Sequence, residues 1–338
     1  MNGRPVRIGV IGCGTVAAYG HLPTIAASGA WELAGIAEAD PARLASVAAE
    51  HRPPLATVDY RELLAAPGLE AVVVATHTDS HRDIACAALE RGLDVLCEKP
   101  MASDETQCRE MAAAAERSGR LLAINFNTRS APILREIKRL IDAGTVGTVR
   151  VARFVYAWSA HQWQPLERFE AFMRNGGPII DSGVHFFDGV RWYTGQEIDR
   201  VDAAGVVLPP YDAPQHVIAT CRLSGGATAL VEVGWMYCKR SKDRSTITTY
   251  DVIGDDGAIS FDAETRQLRI YARDRSEARE FADLSKGFDF VYDRFARSVR
   301  ERRLVDLASG VDGLRATEAA YRALAAATAE AGAAARRA

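Results

Sequence analysis

A glycine loop near the start of the chain constrains the fold more than any other feature. The loop Gly12-Cys13-Gly14-Thr15-Val16-Ala17 follows the short apolar run Val6–Ile11 and opens a helix-like stretch that extends to about Ala27. Two glycines and a small third residue at this spacing let the backbone turn tightly around a diphosphate, which then lies at the positive end of the helix. A glycine-rich turn without a ligand is the alternative, but the flanking strand and helix favour a dinucleotide-binding unit.

The first third of the chain alternates between strand-like and helix-like segments. Its apolar runs are typical of strands that are covered on both faces in a parallel sheet. The intervening segments carry helix signals, such as Asp40 as a cap with Pro41 at the first helical position. We therefore predict a doubly wound parallel α/β domain over residues 1–125. The predicted strands are 6–11, 31–37, 71–75, 94–98 and 121–125, and the predicted helices are 16–27, 41–50, 80–91 and 104–118.

The character of the sequence changes after about Asn125. A helix is predicted over 132–143, and from Val149 onward apolar and polar residues alternate in long stretches. Turn signals such as Ser224-Gly225-Gly226 separate these stretches. This pattern predicts a mostly antiparallel sheet, closed by helices, in a second α/β domain over 126–338. The predicted strands are 149–158, 199–207, 216–223, 227–235, 246–253 and 268–272, and the predicted closing helices are 289–301 and 311–331, with fraying near Gly332.

The composition limits the classes of function to be considered. The 338 residues, 48% of them hydrophobic, suffice for two domain cores, and a net charge of −3 without a basic stripe gives a nucleic-acid partner no support. No apolar run approaches the ~20 residues of a membrane-spanning helix. A strand that begins at Val6 leaves no room for a signal peptide. Six cysteines without a C-x-x-C pair fit isolated thiols, so we expect a cytoplasmic protein.

Two charged residues beyond the loop bear on which dinucleotide binds. Glu38 stands at the end of the second predicted strand, where a carboxylate can bind the adenosine ribose hydroxyls and repel a 2′-phosphate. This position favours NAD over NADP. Arg43 is close enough along the chain to neutralise such a phosphate, so NADP stays an alternative.

Chemistry-bearing residues follow the later strands of the first domain. Glu98-Lys99-Pro100 stands at the carboxyl end of a strand, the edge at which doubly wound sheets bind ligands, and Lys99 can hydrogen-bond a substrate oxygen there. Alone, Lys99 would be an ordinary surface lysine. His77 and His81 are four residues apart near Asp79 and Asp83, which allows a metal site. Their place at the cofactor edge favours a role for His81 near the dinucleotide, so we expect no metal.

A third motif, Gly176-Gly177-Pro178-Ile179-Ile180-Asp181-Ser182-Gly183-Val184-His185, brings an acid and a base together. If the segment is helical, Asp181 and His185 lie one turn apart on one face, where a carboxylate can orient an imidazole for proton transfer. Asp188 extends the same face. The alternative is a core histidine that is capped by a nearby aspartate.

Together the three motifs indicate a nicotinamide-dependent oxidoreductase. The glycine loop holds the dinucleotide, and Lys99, Asp181 and His185 can move protons beside it. Aromatic residues ahead of Gly176 either line a sugar pocket or pack between domains. These residues are Trp158 and Trp163, together with His161.

The chain resembles the family named for glucose-fructose oxidoreductase, inositol dehydrogenase and the rhizopine-catabolism proteins (Gfo/Idh/MocA), over essentially its whole length. The resemblance implies a Rossmann domain joined to an α/β domain with a large open sheet that mediates homodimers or homotetramers. It also implies that Lys99, Asp181 and His185 form the catalytic group and that the Lys99–Pro100 peptide is cis. Six ordered motifs carry it: the loop at Gly12, the segment 76–81, Glu98-Lys99-Pro100, Asn127-Thr128-Arg129 with Pro132, the segment 144–147 and the segment 176–188.

The motifs and the resemblance together assign binding residues. The expected cofactor contacts are Gly12, Gly14, Thr15, Val16, Ala17, Glu38, Arg43, Thr76, His77, His81, Glu98, Lys99 and Asn127. The expected substrate contacts are Lys99, Arg129, Trp158, Trp163, Asp181 and His185. Two positions depart from the family pattern, because His77 replaces the usual proline and Pro178 replaces a usual third glycine. Neither departure removes a catalytic residue.

The leading hypothesis is reversible oxidation of a secondary alcohol on a sugar, cyclitol or related polyol, with hydride transfer to the nicotinamide. One alternative is an NAD-dependent glycosidase that uses transient oxidation, and another is a dinucleotide-binding regulator without turnover. Histidine ordinarily titrates near neutrality, so His185 is the expected general base, with Asp181 orienting it and Lys99 holding the reacting oxygen. The roles of Lys99 and His185 are interchangeable at this point, because a desolvated lysine also titrates near neutrality.

Overall fold

The chain divides into two units, each built around its own sheet. The computed structural model describes residues 4–159, 166–237, 242 and 245–335, with side chains described as far as residue 331. The first unit comprises Met1–Ser130 and Gly287–Leu314, and the second comprises Ala131–Lys286 and Arg315–Ala338. We expected a single boundary near residue 125, whereas the contacts place 287–314 in the first unit.

The elements follow the predicted alternation closely. In chain order the strands are β1 (Val6–Ile11), β2 (Trp31–Ala37), β3 (Ala56–Thr57), β4 (Ala71–Val74), β5 (Asp94–Cys97), β6 (Leu122–Ile124), β7 (Val149–Trp158), β8 (Ile198–Val206), β9 (His216–Leu223), β10 (Thr228–Gly234), β11 (Thr246–Gly254), β12 (Ala258–Asp262), β13 (Gln267–Tyr271), β14 (Ser276–Glu280) and β15 (Ala308–Ser309). The helices are α1 (a π turn, Ala17–His21, continued by Leu22–Ala27), α2 (Pro41–His51), α3 (Tyr60–Leu64), α4 (Thr78–Glu90), α5 (Glu105–Ser118), α6 (Asn127–Ser130), α7 (Pro132–Asp142), α8 (Leu166–Arg174), α9 (a π turn, Ile179–Gly183, continued by Val184–Thr194), α10 (Phe288–Glu301) and α11 (Gly310–Ala335).

The first unit contains the predicted doubly wound sheet. Its strand order is β15-β6-β5-β4-β1-β2-β3, and β1 to β6 pair in parallel, while β15 joins β6 antiparallel. All four residues of β4 are buried, as expected of a strand with both faces covered. The Asp40 side chain caps α2 by accepting from the N–H groups of Ala42 and Arg43, with Pro41 at the first turn.

Helix α10 belongs to the first unit because its apolar face completes that core. The Trp31 ring stacks on Phe295 with centroids 5.4 Å apart, and the Trp31 Nε1 donates a hydrogen bond to the Tyr292 carbonyl (3.0 Å). Tyr292 and Phe295 are both fully buried. The apolar pattern of α10 predicted a helix but carried no signal for which core the helix joins.

The second unit contains the predicted large sheet, which has the order β14-β13-β12-β11-β7-β10-β9-β8. Its pairs are antiparallel except for β7 with β10, so the expectation of a mostly antiparallel sheet is confirmed. Helix α9 packs on one face through Phe186, whose ring stacks on Phe154 with centroids 5.2 Å apart. Strand β14 was not predicted, because all five of its residues are exposed and it lacks apolar alternation.

Two further observations concern the whole of the described chain. Helix α11 continues to Ala335, past the point at which we expected fraying. In the described ranges, no helix has both the length and the apolar character needed to cross a membrane.

Candidate active site

The glycine loop joins β1 to α1, as the sequence predicts. Gly12 has a φ of +89°, and a Cβ there would lie 2.6 Å from the Ala75 carbonyl oxygen after β4, so this position requires glycine. At Gly14 a Cβ would meet no described atom within 4 Å, which leaves room for a ligand to approach the backbone. The Ala18 N–H bonds to the Gly14 carbonyl (3.0 Å), so helical bonding begins directly at this opening. The loop therefore fits a dinucleotide diphosphate.

Glu38 follows β2 and ties that strand to the glycine loop. It is 8% exposed, and its carboxylate accepts hydrogen bonds from the backbone N–H groups of Cys13 (2.8 Å) and Asp40 (2.9 Å). The Arg43 guanidinium lies 3.3 Å from the same carboxylate. Burial, together with the Glu38 charge, raises the pKa of the Cys13 thiol to about 12, so Cys13 is not a reactive thiolate. The acidic residue predicted at the ribose position is thus also a support of the loop.

The segment after β4 places its two histidines in different environments. His77 is exposed ahead of α4, whereas His81 is 1% exposed within that helix. The His81 Nδ1 lies 3.0 Å from the Pro100 carbonyl oxygen, and its Nε2 lies 3.1 Å from the Thr76 carbonyl oxygen. Burial lowers the pKa of His81, and because a neutral ring has one N–H, it donates to one of these two carbonyls. His81 therefore joins the segments that follow β4 and β5, and its contact with the cofactor stays a prediction. Among the described residues, no group of three potential metal ligands occurs.

Glu98 is the centre of a buried polar cluster that the sequence analysis did not predict. Its Oε1 accepts hydrogen bonds from His21 Nε2 (3.1 Å) and Asn125 Nδ2 (2.6 Å), and its Oε2 accepts one from the Lys99 backbone N–H (3.2 Å). The Nδ1 of His21 bonds to the Tyr292 hydroxyl (2.9 Å). Burial by itself raises the pKa of Glu98, but these hydrogen bonds and the charges of His21 and Lys99 outweigh it and hold the pKa at about 2. Glu98 is thus an ionised buried carboxylate, and its contact with the cofactor stays a prediction.

This cluster could not be found from local spacing, because its members come from distant segments. His21 and Tyr292 are separated by 271 residues, and His21 and Glu98 by 77. The available signal was a polar residue among apolar neighbours, as at His21 in α1 and at Asn125 directly after β6. A buried polar side chain needs a partner, so such positions can be flagged from sequence, but the partner cannot be named.

Lys99 directly follows β5 at the carboxyl edge of the parallel sheet. The Lys99–Pro100 peptide is cis, which confirms the expectation from the resemblance. Lys99 is half-buried, whereas Glu98 and Pro100 on either side are buried. Strand β4 pairs with both β1 and β5, so the glycine loop after β1 and Lys99 after β5 follow strands of one parallel array. The first unit thus presents both at the same sheet edge.

Asp181 and His185 belong to the second unit and lie on α9. The segment is helical, as predicted, but Asp181 stands in the π turn that precedes the regular helix containing His185. From Asp181 to Val190, these two are the partly exposed residues, and all others are buried. Asp188, which we expected to extend the same face, is 0% exposed. The helix therefore presents an acid and an imidazole on an otherwise buried surface.

Helix α6 carries two further residues that were assigned from the motifs. Asn127 is partly exposed at its start. The Arg129 Nη2 lies 3.2 Å from Asp312 Oδ1, and the Arg129 side chain is 14% exposed. This ion pair within the first unit gives Arg129 a structural partner in addition to the substrate contact that we expected.

The aromatic residues ahead of Gly176 are described in part. Trp158 ends β7 and packs against a cluster of Phe169, Met173 and Trp235 in the second unit. Its indole N–H is buried, and no hydrogen-bond partner for it is found in the described part of the chain. His161 and Trp163 lie outside the described residues.

Both halves of the chain match models of one oxidoreductase family. Residues 6–126 match the oxidoreductase family model with an NAD-binding Rossmann fold, and residues 134–260 match the GFO/IDH/MocA C-terminal domain. The chain belongs to the GFO/IDH/MocA family. It is accordingly an NAD-binding oxidoreductase, and the resemblance drawn from its motifs is confirmed.

Several relatives of this GFO/IDH/MocA protein are named as dehydrogenases. Levoglucosan dehydrogenase of Pseudarthrobacter phenanthrenivorans is 28% identical over 280 residues, which cover 75% of this chain and 71% of the relative. Inositol 2-dehydrogenase 4 of Saccharopolyspora erythraea is 30% identical over 347 aligned positions, which cover 99% of this chain and 94% of the relative. A solved structure of levoglucosan dehydrogenase with NADH and levoglucosan has a TM-score of 0.85 at 24% identity, covering 96% of this chain and 98% of that chain, which shows a shared fold.

Proposed function

We propose that this GFO/IDH/MocA protein catalyses the reversible oxidation of a secondary alcohol on a sugar, cyclitol or related polyol, with NAD as the hydride acceptor. The observation that carries the proposal is the common sheet edge of the first unit, where the glycine loop and Lys99 both follow parallel strands. The names of the relatives support the substrate class, since levoglucosan and inositol both carry secondary ring alcohols.

The residues of this chain divide the work of proton transfer. NAD, when bound, supplies the nicotinamide ring that accepts a hydride from the carbinol carbon. His185 accepts the hydroxyl proton, and Asp181 on the same helix orients the imidazole and stabilises its charged form. Lys99 donates a hydrogen bond to the reacting oxygen as negative charge develops on it. The alcohol thus loses a hydride and a proton and becomes a ketone, and the reverse reaction returns both.

The cofactor is held by groups with complementary chemistry. The backbone of Gly12 and Gly14 and the first N–H groups of α1 (Thr15, Val16 and Ala17) hold the diphosphate, because they combine open space with the positive end of a helix. Glu38 binds the adenosine ribose and disfavours a 2′-phosphate, while Arg43 offsets part of that repulsion. The remaining proposed contacts are Thr76, His77, His81, Glu98, Lys99 and Asn127 with the cofactor, and Arg129, Trp158 and Trp163 with the substrate.

A panel of sugars, glycosides and inositols with NAD or NADP tests the proposal through nicotinamide absorbance. Net reduction of NAD by an unmodified sugar or cyclitol is the expected result, with a lower catalytic efficiency for NADP. Glycoside cleavage without net reduction would instead identify a glycosidase. NAD binding without turnover on any member of the panel would identify a regulator. The two relatives described above are named as dehydrogenases, which favours neither alternative.

We further propose that the protein forms a homodimer or homotetramer through the large sheet. Four large apolar side chains on this sheet are between 42% and 48% exposed, and cross-strand pairing from β8 to β13 places them on one face, opposite Phe154. A sheet face with such exposed apolar side chains promotes aggregation unless another subunit buries it. The four residues are Val206, Ile218, Ile253 and Tyr271. A monomer in light scattering at micromolar concentration would contradict this proposal.

We also propose that the protein resides in the cytoplasm. The supporting observation is that the described cysteines are free thiols, four of them buried, as is usual in a reducing compartment. Cys238 lies outside the described residues. Cell fractionation that recovers the protein outside the cytoplasmic fraction would refute the assignment.

A further inference from the structure

The buried cluster around Glu98 has a defined direction of hydrogen bonding. Because the Glu98 carboxylate is ionised, it can only accept, so the His21 Nε2 carries a proton toward it. Burial, together with the Glu98 charge, raises the pKa of Tyr292 well above its ordinary value, so its hydroxyl keeps a proton. The His21 ring bonds through Nδ1 to that hydroxyl. The chain of bonds then runs from α10 through α1 to the end of β5.

The position of His21 depends on the irregular start of α1. The Leu22 N–H bonds to the Ala17 carbonyl, five residues back, which defines the π turn between the glycine loop and His21. His21 is 0% exposed, and its ring makes an edge contact with Phe288, with centroids 5.2 Å apart. The helix that follows the diphosphate loop therefore reaches the carboxylate beside Lys99 through the His21 side chain.

The Glu98 carboxylate needs these donors because it is almost completely withdrawn from water. Glu98 is 7% exposed, and an ionised buried carboxylate that loses a hydrogen-bond donor retains an uncompensated charge. Lys99 is the next residue along the chain, and its charge already acts on Glu98. An ammonium on a flexible stem is the group best able to replace a missing donor. Loss of the His21 donor would therefore draw Lys99 toward Glu98.

We propose that His21 is a positioning residue of the proposed reaction, and this inference rests on that proposed function. The Nε2 proton of His21 holds the Glu98 carboxylate in its hydrogen bond with the Lys99 backbone N–H. The Lys99 ammonium therefore stays available to the substrate oxygen. The groups that face Glu98 are His21 from α1, Asn125 from the end of β6 and the Lys99 backbone. Tyr292 from α10 acts on Glu98 through His21, and His81 from α4 feels its charge. His21 contacts neither the substrate nor the reacting atoms in this proposal.

Competitive acetylation of the folded chain tests the proposal without substrate, because acetic anhydride reacts with the neutral amine alone. The labelling of Lys99 is measured against pH by mass spectrometry, with Lys138 on α7 of the second unit as the internal reference. In His21→Leu, the rate of Lys99 labelling at a pH below its pKa should fall about 10-fold. Because this rate follows the fraction of unprotonated amine, the fall corresponds to a rise of about one unit in the pKa of Lys99. His21→Gln retains an N–H donor and should restore labelling to within about twofold of the wild type.

Two further variants keep the test decisive. If His21→Leu does not fold, Asn125→Ala removes the other donor to the same Oε1, and it should lower Lys99 labelling in the same direction by about threefold. Tyr193→Phe is the matched control, because it removes a buried hydroxyl that donates to the Leu134 carbonyl (2.9 Å) in the second unit, and it should leave Lys99 labelling unchanged. Unchanged or increased labelling of Lys99 in folded His21→Leu, or in Asn125→Ala, would overturn the proposal.

A kinetic readout separates this inference from the proposed function. With a substrate in hand, His21→Leu should lower kcat more than about 10-fold, shift the alkaline limb of the pH profile, where Lys99 loses its proton, upward by about one unit, and leave NADH affinity within about twofold. A wild-type enzyme that oxidises no alcohol, together with the expected labelling shift, would refute the proposed function alone. An active wild type with unmoved Lys99 labelling in His21→Leu would refute the role of His21 alone.

Discussion

Replacement of Glu98 by glutamine should reveal how strongly the buried cluster stabilises the first unit. The pKa of Glu98 is held at about 2 against an ordinary value of 4.5. At ~1.4 kcal/mol for each pH unit, this difference corresponds to about 3 kcal/mol in favour of the folded state when the carboxylate is ionised. Glutamine resembles the protonated carboxyl, so Glu98→Gln should lose about that amount at pH 7.

The pH dependence has a definite sign. The pKa is lower in the folded state, so the stabilisation is complete above pH 4.5 and is lost as the pH falls toward about 2. Urea unfolding is measured at a series of pH values from 7 to 4, and hydrogen exchange of the β5 amides is the probe, so that the measurement reports the stability of the first unit. With an ordinary dependence on urea, a loss of about 3 kcal/mol moves the midpoint by roughly 1–2 M at pH 7. The difference between variant and wild type should narrow below pH 4.5.

An exposed carboxylate provides the control for this experiment. Asp255 forms an ion pair with Arg150 at the surface, where solvent screens the interaction, so Asp255→Asn should leave the urea midpoint of the first unit unchanged. If Glu98→Gln unfolded at the same urea concentration as the wild type at pH 7, the carboxylate would contribute no such stabilisation. A difference that stayed constant down to pH 4 would equally refute the reasoning.

Three further predictions concern the site and the assembly. His185→Ala should lower turnover by roughly 10²- to 10⁴-fold with nearly unchanged NAD affinity, and Lys99→Ala should lower turnover by a similar factor. Steady-state kinetics and cofactor titration of both variants test this. A loss of turnover in the lysine variant alone would make Lys99 the base. Glu38→Ser should weaken NAD binding, because the Cys13 N–H loses its acceptor. It should also narrow the preference for NAD over NADP, because Arg43 loses its ion pair with Glu38. An unchanged ratio of the catalytic efficiencies with NAD and NADP would contradict this. Ile218→Lys places a charge on the exposed face of the large sheet and should dissociate the oligomer in light scattering, whereas an unaltered mass would locate the interface elsewhere.

Several structural features were predictable because their signals are local. The strand before Gly12, the small residues of the loop and the helix after it define a diphosphate site within a short stretch of chain, and the structure contains that arrangement. The apolar run of β4 and the alternation in β9 likewise predicted one parallel and one mostly antiparallel sheet. Each of these depends on neighbours along the chain or on the period of the pattern, which the sequence displays directly.

Other features depend on which segments meet in space, and these escaped prediction. The return of α10 to the first unit follows from the packing of Phe295 on Trp31, residues that are far apart in the chain. The burial of His81 has the same origin, since its ring reaches Pro100 beyond the next strand. A helix pattern specifies an apolar face but not the surface that covers it.

The sequence by itself determined the fold class and the dinucleotide loop, because these are written in spacing and residue type. Only the tertiary structure decided that Glu98 is a buried ionised carboxylate. That state requires donors from α1, from the end of β6 and from the backbone of Lys99 to converge on one carboxylate. The donors lie far apart along the chain, and the free energy that holds a buried charge depends on their distance in space, which no local pattern encodes.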